Sequence, residues 1–224
     1  MIHYHGTPLT PRKMLMEMSG RHFCVSFARP DDLEVCLKIG QSVMFDNGAF
    51  TAFTKGKTFD QAAYLAWVDE HLAHPHWAVV PDVIDGDEEQ QRQGIRAWPF
   101  PKELSAPVWH LGLSIDWLLE LADHWPRVAF GSSGQYWEVG SLSWARRMDE
   151  AFEALARTRR RLPWIHGMRM LAQCDGPWPL ASADSTNVAR NFKTYNIHPD
   201  QMAGRIDAKQ PARKWQGIRQ MELI

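Results

Sequence analysis

Cysteine is scarce in this chain: Cys24, Cys36 and Cys174 are three, odd in number and far apart. That argues against a disulfide framework and a C-x-x-C metal knuckle. Neither sign of charge dominates, since 25 Lys and Arg stand against 26 Asp and Glu for a formal net charge of -1. The molecule is no polycation, and nucleic-acid binding would have to rest on a local patch. Such patches occur at RTRRR (157–161) and RKW (213–215). The first reads equally well as a solvated helix end whose cations suit the helix dipole. No apolar run approaches the roughly 20 residues of a membrane span. The opening MIHYHGTPLTPRK does not follow the basic-then-apolar layout of a signal peptide. The expected compartment is therefore the cytoplasm, with no membrane partner.

No repeat, low-complexity tract or linker divides the 224 residues, so a single domain over 1–224 is expected. With 45% hydrophobic and 23% charged residues the composition is that of an ordinary globular protein. Eight short apolar or β-branched runs recur, at 1–5, 22–28, 42–46, 77–84, 107–113, 127–133, 164–170 and 180–185. Continuous runs of this length suit strands buried on both faces of a parallel sheet. Between them, Ala62, Ala63, Leu65, Ala66 and Leu72 share one helical stripe, as do Ala145, Met148, Phe152, Leu155 and Ala156. Asp31, Asp32 and Ser114 are placed to cap helices. Eight strands alternating with helices predict an α/β fold, a compact (β/α)8 TIM-type barrel, with a doubly wound open sheet as the alternative.

Barrel enzymes carry their chemistry at the C-terminal ends of the strands. Those positions hold Asp46, Asp82, His110 with Gly112, the turn Gly131, Ser132, Ser133 and Gly134, then His166 with Arg169, and Asp184. Each has a plainer reading. In SVMFDNGAFTAF, Asp46-Asn47-Gly48 is a strong hairpin-turn signal, but the residues that follow form no clean partner strand. Asp82 lies within the apolar run 77–84, where an unpaired carboxylate is costly, whereas Asp85 and Asp87 suit a loop and a helix cap. Asp184 or Ser185 reads as a helix cap as well as a site residue. The glycines of 131–134 allow backbone amides to approach a ligand or simply make a loop. His71, His74 and His76 resemble metal ligands, but Pro75 breaks the helix that would align them, which favours a solvated helix end. The eleven tryptophans read mainly as packing residues.

The order FDNGAF, an Asp in the fourth strand, a glycine-rich turn after the sixth and ADSTNVAR resembles the tRNA-guanine transglycosylase family. It is most similar to the short 7-deazaguanine DNA transglycosylases of phages and bacteria. The family's third-strand motif, Asp-Ser-Gly-Gly-Phe, corresponds to Asp46-Asn47-Gly48-Ala49-Phe50. The resemblance implies that Asp184 is the nucleophile, Asp46 the general acid and base, and Asp82 the reader of the base. It implies that Gly131, Ser132, Ser133 and Gly134 offer backbone amides to the purine carbonyl. The family's fifth-strand glutamine falls near His110 and Gly112. The tRNA enzymes carry a cysteine-rich zinc site after the nucleophile, and no cysteine follows Asp184 here. The zinc subdomain and any bound metal or cofactor are therefore not expected, and DNA is favoured over tRNA.

By resemblance, Asp184 forms a covalent glycosyl intermediate and guanine is exchanged for a 7-deazaguanine such as preQ0. Arg169, Arg190, Lys193 and the basic segment at 213–215 are candidate phosphate contacts. An N-glycoside hydrolase and a non-catalytic nucleic-acid-binding barrel remain open as alternatives.

Overall fold

The computed structural model describes residues 1–158 and 162–217. The chain runs β1 (Ile2–Gly6), α1 (Arg12–Met16), β2 (His22–Ser26), α2 (Leu33–Ile39), β3 (Ser42–Asp46), α3 (Ala49–Thr54) and α4 (Gln61–His71). Next come β4 (Trp77–Val79), α5 (Glu88–Arg96), β5 (Ser105–Ala106), β6 (Val108–His110), α6 (Ile115–His124), β7 (Arg127–Gly131) and α7 (Leu142–Thr158). Last are β8 (Trp164–Gly167), β9 (Ser182–Ser185), α8 (Asn187–Asn191) and α9 (Pro199–Asp207).

One sheet takes in all nine strands in the order β5-β4-β3-β2-β1-β9-β8-β7-β6. Every neighbouring pair in it is parallel. β5 and β6 stand at opposite ends of that order, yet only Pro107 separates them in the chain. The sheet therefore curls nearly closed, a barrel-like wall flanked by helices, and not an open sheet. Nine strands replace the expected eight because proline has no N–H to give a ladder. Before Pro107 the segment pairs with β4, and after it with β7. The fourth strand also stops early, at Val79, and the proline at 81 cannot extend it. Asp82 consequently sits in the loop after β4, not inside a buried run.

Alternation along each strand sorts the side chains. Tyr4, Cys24, Met44, Trp77, Val79, Val108 and Ala129 fill the barrel interior. Val25, Val43, Phe45, Trp109, Phe130 and Ile165 face the helices. α7 buries Trp144, Met148, Ala151, Phe152 and Leu155, so the expected stripe is rotated slightly and Ala156 is exposed. α4 buries Tyr64 and Val68 and leaves Ala62, Ala63 and Ala66 largely in solvent. Large side chains gain more from burial than alanine does, about 1.5–3 kcal/mol each, and they decide which face turns inward. Ser114 caps α6 as expected, its hydroxyl accepting the Trp117 N–H at 3.0 Å. Asp32 stands at the start of α2 but does not cap it. Its carboxylate accepts instead from the Leu9 N–H and Arg12 Nε, at 3.1 and 3.2 Å, tying down the loop after β1.

No hairpin forms at Asp46-Asn47-Gly48. The chain leaves β3, turns through Gly48 at φ +76°, and enters α3. The Asn47 side-chain oxygen accepts the Ala49 N–H at 2.9 Å, an Asx turn that starts the helix. A Cβ on Gly48 would lie 2.9 Å from the Ala28 nitrogen. Left-handed backbone and lack of space together require glycine. Gly48→Ala is expected to cost about 2 kcal/mol or more, read as a lowered urea midpoint. An unchanged midpoint would show that this turn is less constrained than its geometry indicates.

Candidate active site

The C-terminal ends of β3, β4, β6, β7 and β8 meet around one small cleft. Asp46, Asp82, His110, Gly131, Ser132, Ser133 and Arg169 line it, together with Asn47, Phe50 and Met168. Asp46 is the last residue of β3, directed inward by the same alternation that buries Met44. Its pKa is pushed up to about 6. Burial is the largest cause, and the charges of Asp184 and Asp82 add to it. The Ser26 hydroxyl and the Gly48 backbone oppose the shift. Ser26 is the register partner of Asp46 on β2. Its hydroxyl makes no close hydrogen bond in the structure, yet it opposes the shift more strongly than either neighbouring charge promotes it.

Asp82 is held from both sides. Asn47 Nδ2 donates to Oδ1 at 2.6 Å, and His110 Nε2 lies 2.8 Å from Oδ2. The other ring nitrogen, Nδ1, faces Ser133 Oγ at 3.2 Å. A carboxylate beside Nε2 places the ring proton there, which leaves Nδ1 to accept from Ser133. Gly131 makes the approach possible, since a Cβ there would lie 2.9 Å from His110 Nδ1. Asn47 is 2% exposed and also donates to the Val80 carbonyl at 3.1 Å. It is a site residue that sequence reasoning passed over, because N-G reads first as turn chemistry.

Asp184, near the end of β9, is 8% exposed. One oxygen, Oδ1, receives the Arg169 backbone N–H at 2.8 Å and faces His166 Nε2 at 3.2 Å. It caps no helix; Ser185 Oγ is the group that accepts, from the Asn187 N–H at 3.0 Å. Arg169 takes a left-handed φ of 60°. This conformation is uncommon outside glycine and clusters at functional sites. Its guanidinium lies 4.0 Å from the centre of the Phe50 ring, and Nη2 donates to the Ser132 carbonyl at 2.6 Å. Burial lowers its pKa, and the charges of Asp184 and Asp46 act against that. Arg169 thus lines the cleft while remaining exposed to solvent.

Other expected residues lie elsewhere. Gly112 is exposed with open space around it, and Gly134 is an exposed residue beginning a short 3-10 turn. Neither lines the cleft. Arg190 and Lys193, on and just after α8, are exposed and outside the cleft. Of the basic run at 157–161, residues 159–161 lie outside the described residues. Arg213 and Lys214 are exposed, while the Trp215 indole is anchored to Glu153 at 2.9 Å. His76 Nδ1 accepts the Val43 N–H at 3.0 Å. Among the described residues no group of three or more His, Cys, Asp or Glu is placed to hold a metal ion. None of their helices is long and apolar enough to cross a membrane. A roomier hollow between α5 and α6 is a wide surface depression beside the Arg92–Glu120 ion pair, without converging catalytic groups.

Comparison of the chain with models of protein families, with curated proteins and with solved structures returns no match. The chemistry of the cleft therefore has to be read from its own groups. It offers a carboxyl that keeps its proton to about pH 6 and a second locked into an Asn–Asp–His–Ser chain, while Asp184 does not line the cleft and lies behind Arg169, close enough for its charge to act on Asp46. Phe50, the last residue of FDNGAF, and Met168 add an aromatic ring and a thioether to the walls, neither of them among the expected site residues.

The raised Asp46 pKa has a stability consequence. Between the ordinary 3.8 and about 6, the folded chain holds a proton that the unfolded chain releases. Stability from this group is intact below the lower value and is lost as pH rises through about 6. Asp46→Asn, which is neutral at every pH, should be more stable than the parent at pH 8, by about 3 kcal/mol. The gap should close towards pH 4, as followed by denaturant titration at both pH values. Equal stability at pH 8 would mean that Asp46 ionises as freely as an exposed carboxyl.

Proposed function

We propose that this chain is a nucleic-acid guanine transglycosylase, exchanging guanine for a 7-deazaguanine base, in DNA more than in tRNA. The observation that carries the proposal is the Asp46 carboxyl, held near pH 6 by burial and by the neighbouring charges of Asp184 and Asp82. A proton donor poised near neutrality beside an attacking carboxylate is what cleavage and re-formation of a glycosidic bond require. The motif order that resembles the transglycosylases supplies the substrate class. In the same reading β5 and β6 are one strand of a (β/α)8 barrel broken at Pro107.

An Asp184 oxygen lone pair bonds to C1′ while the C1′–N9 bond breaks and its electron pair leaves with the base. Asp46 gives its proton to the departing guanine. The ionised Asp46 then takes the proton of the incoming 7-deazaguanine, whose nitrogen attacks C1′ and releases Asp184. Asp82 keeps acceptor capacity on each oxygen for a base N–H and exocyclic amine, while Asn47 and His110 hold it still. The free volume of the cleft is about 30 Å³, room for a water or two and not for a purine. Entry of a base therefore requires the Arg169 guanidinium to leave the Phe50 ring. A base flipped from its stack would take that aromatic face, and the freed cation would lie near the incoming phosphates.

Exchange of labelled guanine into duplex and single-stranded DNA, with tRNA alongside, tests the reading. Free guanine without incorporation would indicate an N-glycoside hydrolase, and binding without either would indicate a non-catalytic barrel. Asp184→Asn should abolish a denaturant-resistant protein–DNA adduct, because an amide cannot form the ester. Asp46→Asn should keep some adduct while slowing exchange by about 10²–10⁴-fold. In the parent, the single-turnover rate of base release should fall as pH rises through about 6, as the donor loses its proton. Adduct formation by Asp184→Asn at the parental rate would refute the assignment of the nucleophile.

A further inference from the structure

His166 is fully buried beside the site, and none of the steps above uses it. Both of its ring nitrogens are engaged by β9. Ser182 Oγ lies 2.8 Å from Nδ1 and Asp184 Oδ1 lies 3.2 Å from Nε2. Ser182 and Asp184 are two residues apart on a strand, so both face inward, and His166 is the register partner of Ser182. The Trp164 indole N–H donates to the same Ser182 oxygen at 2.8 Å. An indole nitrogen can only donate. With one Ser182 lone pair taken, the hydroxyl proton is free to point at Nδ1, which then carries no proton of its own. The proton of a neutral imidazole accordingly sits on Nε2, aimed at Asp184. The opposite tautomer would set a bare nitrogen lone pair against a carboxylate oxygen. Burial keeps the ring neutral against the pull of Asp184.

We infer that His166 is the positioning residue of the nucleophile: the Trp164–Ser182 chain sets its tautomer, and its Nε2–H, with the Arg169 backbone N–H, anchors Oδ1 so that Oδ2 is left to react. Oδ2 accepts no hydrogen bond from the described residues, and the side chain keeps 11% of its surface exposed. The inference rests on the reading of Asp184 as nucleophile. The other charged groups acting around the pair, Arg169 and Asp46 on the Asp184 side and Arg127 on the His166 side, do not depend on the tautomer.

The test uses the full chain. Ring-nitrogen NMR of the parent should find the proton on Nε2. Crystals of His166→Leu should show the Asp184 carboxylate rotated from its place. The same variant should slow adduct formation with guanine-containing DNA by about 10–100-fold at saturating DNA, with half-saturation little changed. His166→Gln, whose amide reaches the Nε2 position, should recover most of the rate, and His166→Asn, whose amide stops at the Nδ1 position, should not. If His166→Leu does not fold, the contrast between Gln and Asn decides. A proton on Nδ1, an unmoved Asp184 in His166→Leu, or equal rates in Gln and Asn would overturn the inference. A parent protein that forms no adduct with DNA or tRNA counts against the transglycosylase reading alone. The tautomer and the Asp184 orientation then judge the positioning role by themselves.

Discussion

Two carboxyl groups, Asp46 and Asp82, share one small cleft within reach of the charge of a third, Asp184, and the polar groups around them offset that cost unequally. Asp82 is compensated by Asn47 and His110, and Asp184 by a backbone N–H and an imidazole. Asp46 receives the least help, and its pKa rises accordingly. The unequal compensation separates the roles of chemically identical groups. An acid that keeps its proton and a carboxylate held by donors follow from which neighbours each one has, not from which residue type it is.

Those neighbours are supplied by strand alternation in an all-parallel sheet. Met44 and Asp46, Val108 and His110, and Ser182 and Asp184 are pairs in which an interior residue is followed two positions later by one nearer the mouth. A shift of register by one residue would turn all of them outward against the helices. The apolar layer formed by Tyr4, Met44, Trp77 and Val108 lies within the barrel and keeps water from it. It also supports the Trp164–Ser182–His166 chain, where Trp77 packs edge-on against the His166 ring at 5.0 Å.

Arg169 links Asp184 to the opposite wall. Its backbone donates to Asp184 while its side chain reaches Ser132 and covers Phe50. The strained φ that permits both contacts is sustained only by the surrounding packing. The same residue therefore ties the end of β9 to the far wall of the cleft.

Much of the architecture was legible along the chain. Apolar runs bounded by turn residues marked the strands, because burial on both faces of a parallel sheet demands them, and Ser114 announced its helix through the chemistry of an orphan N–H. The candidate site was legible in part, since Asp46, Asp82, His110, Ser133 and Asp184 stand at strand ends where barrel chemistry gathers. Local rules failed where a distant partner set the outcome. Asn47 looked like half of a hairpin turn until Asp82 and the Val80 carbonyl took its amide, and Asp32 looked like a helix cap until Leu9 and Arg12 claimed its oxygens. His166 had no readable role, because its tautomer depends on Trp164 and Ser182 arriving on neighbouring strands. Residue types and their spacing thus settle which groups face inward and at which end. Which of them become partners, and therefore which carboxyl keeps its proton, depends on contacts between strands far apart in sequence, since charge and hydrogen bonding act through distance in space.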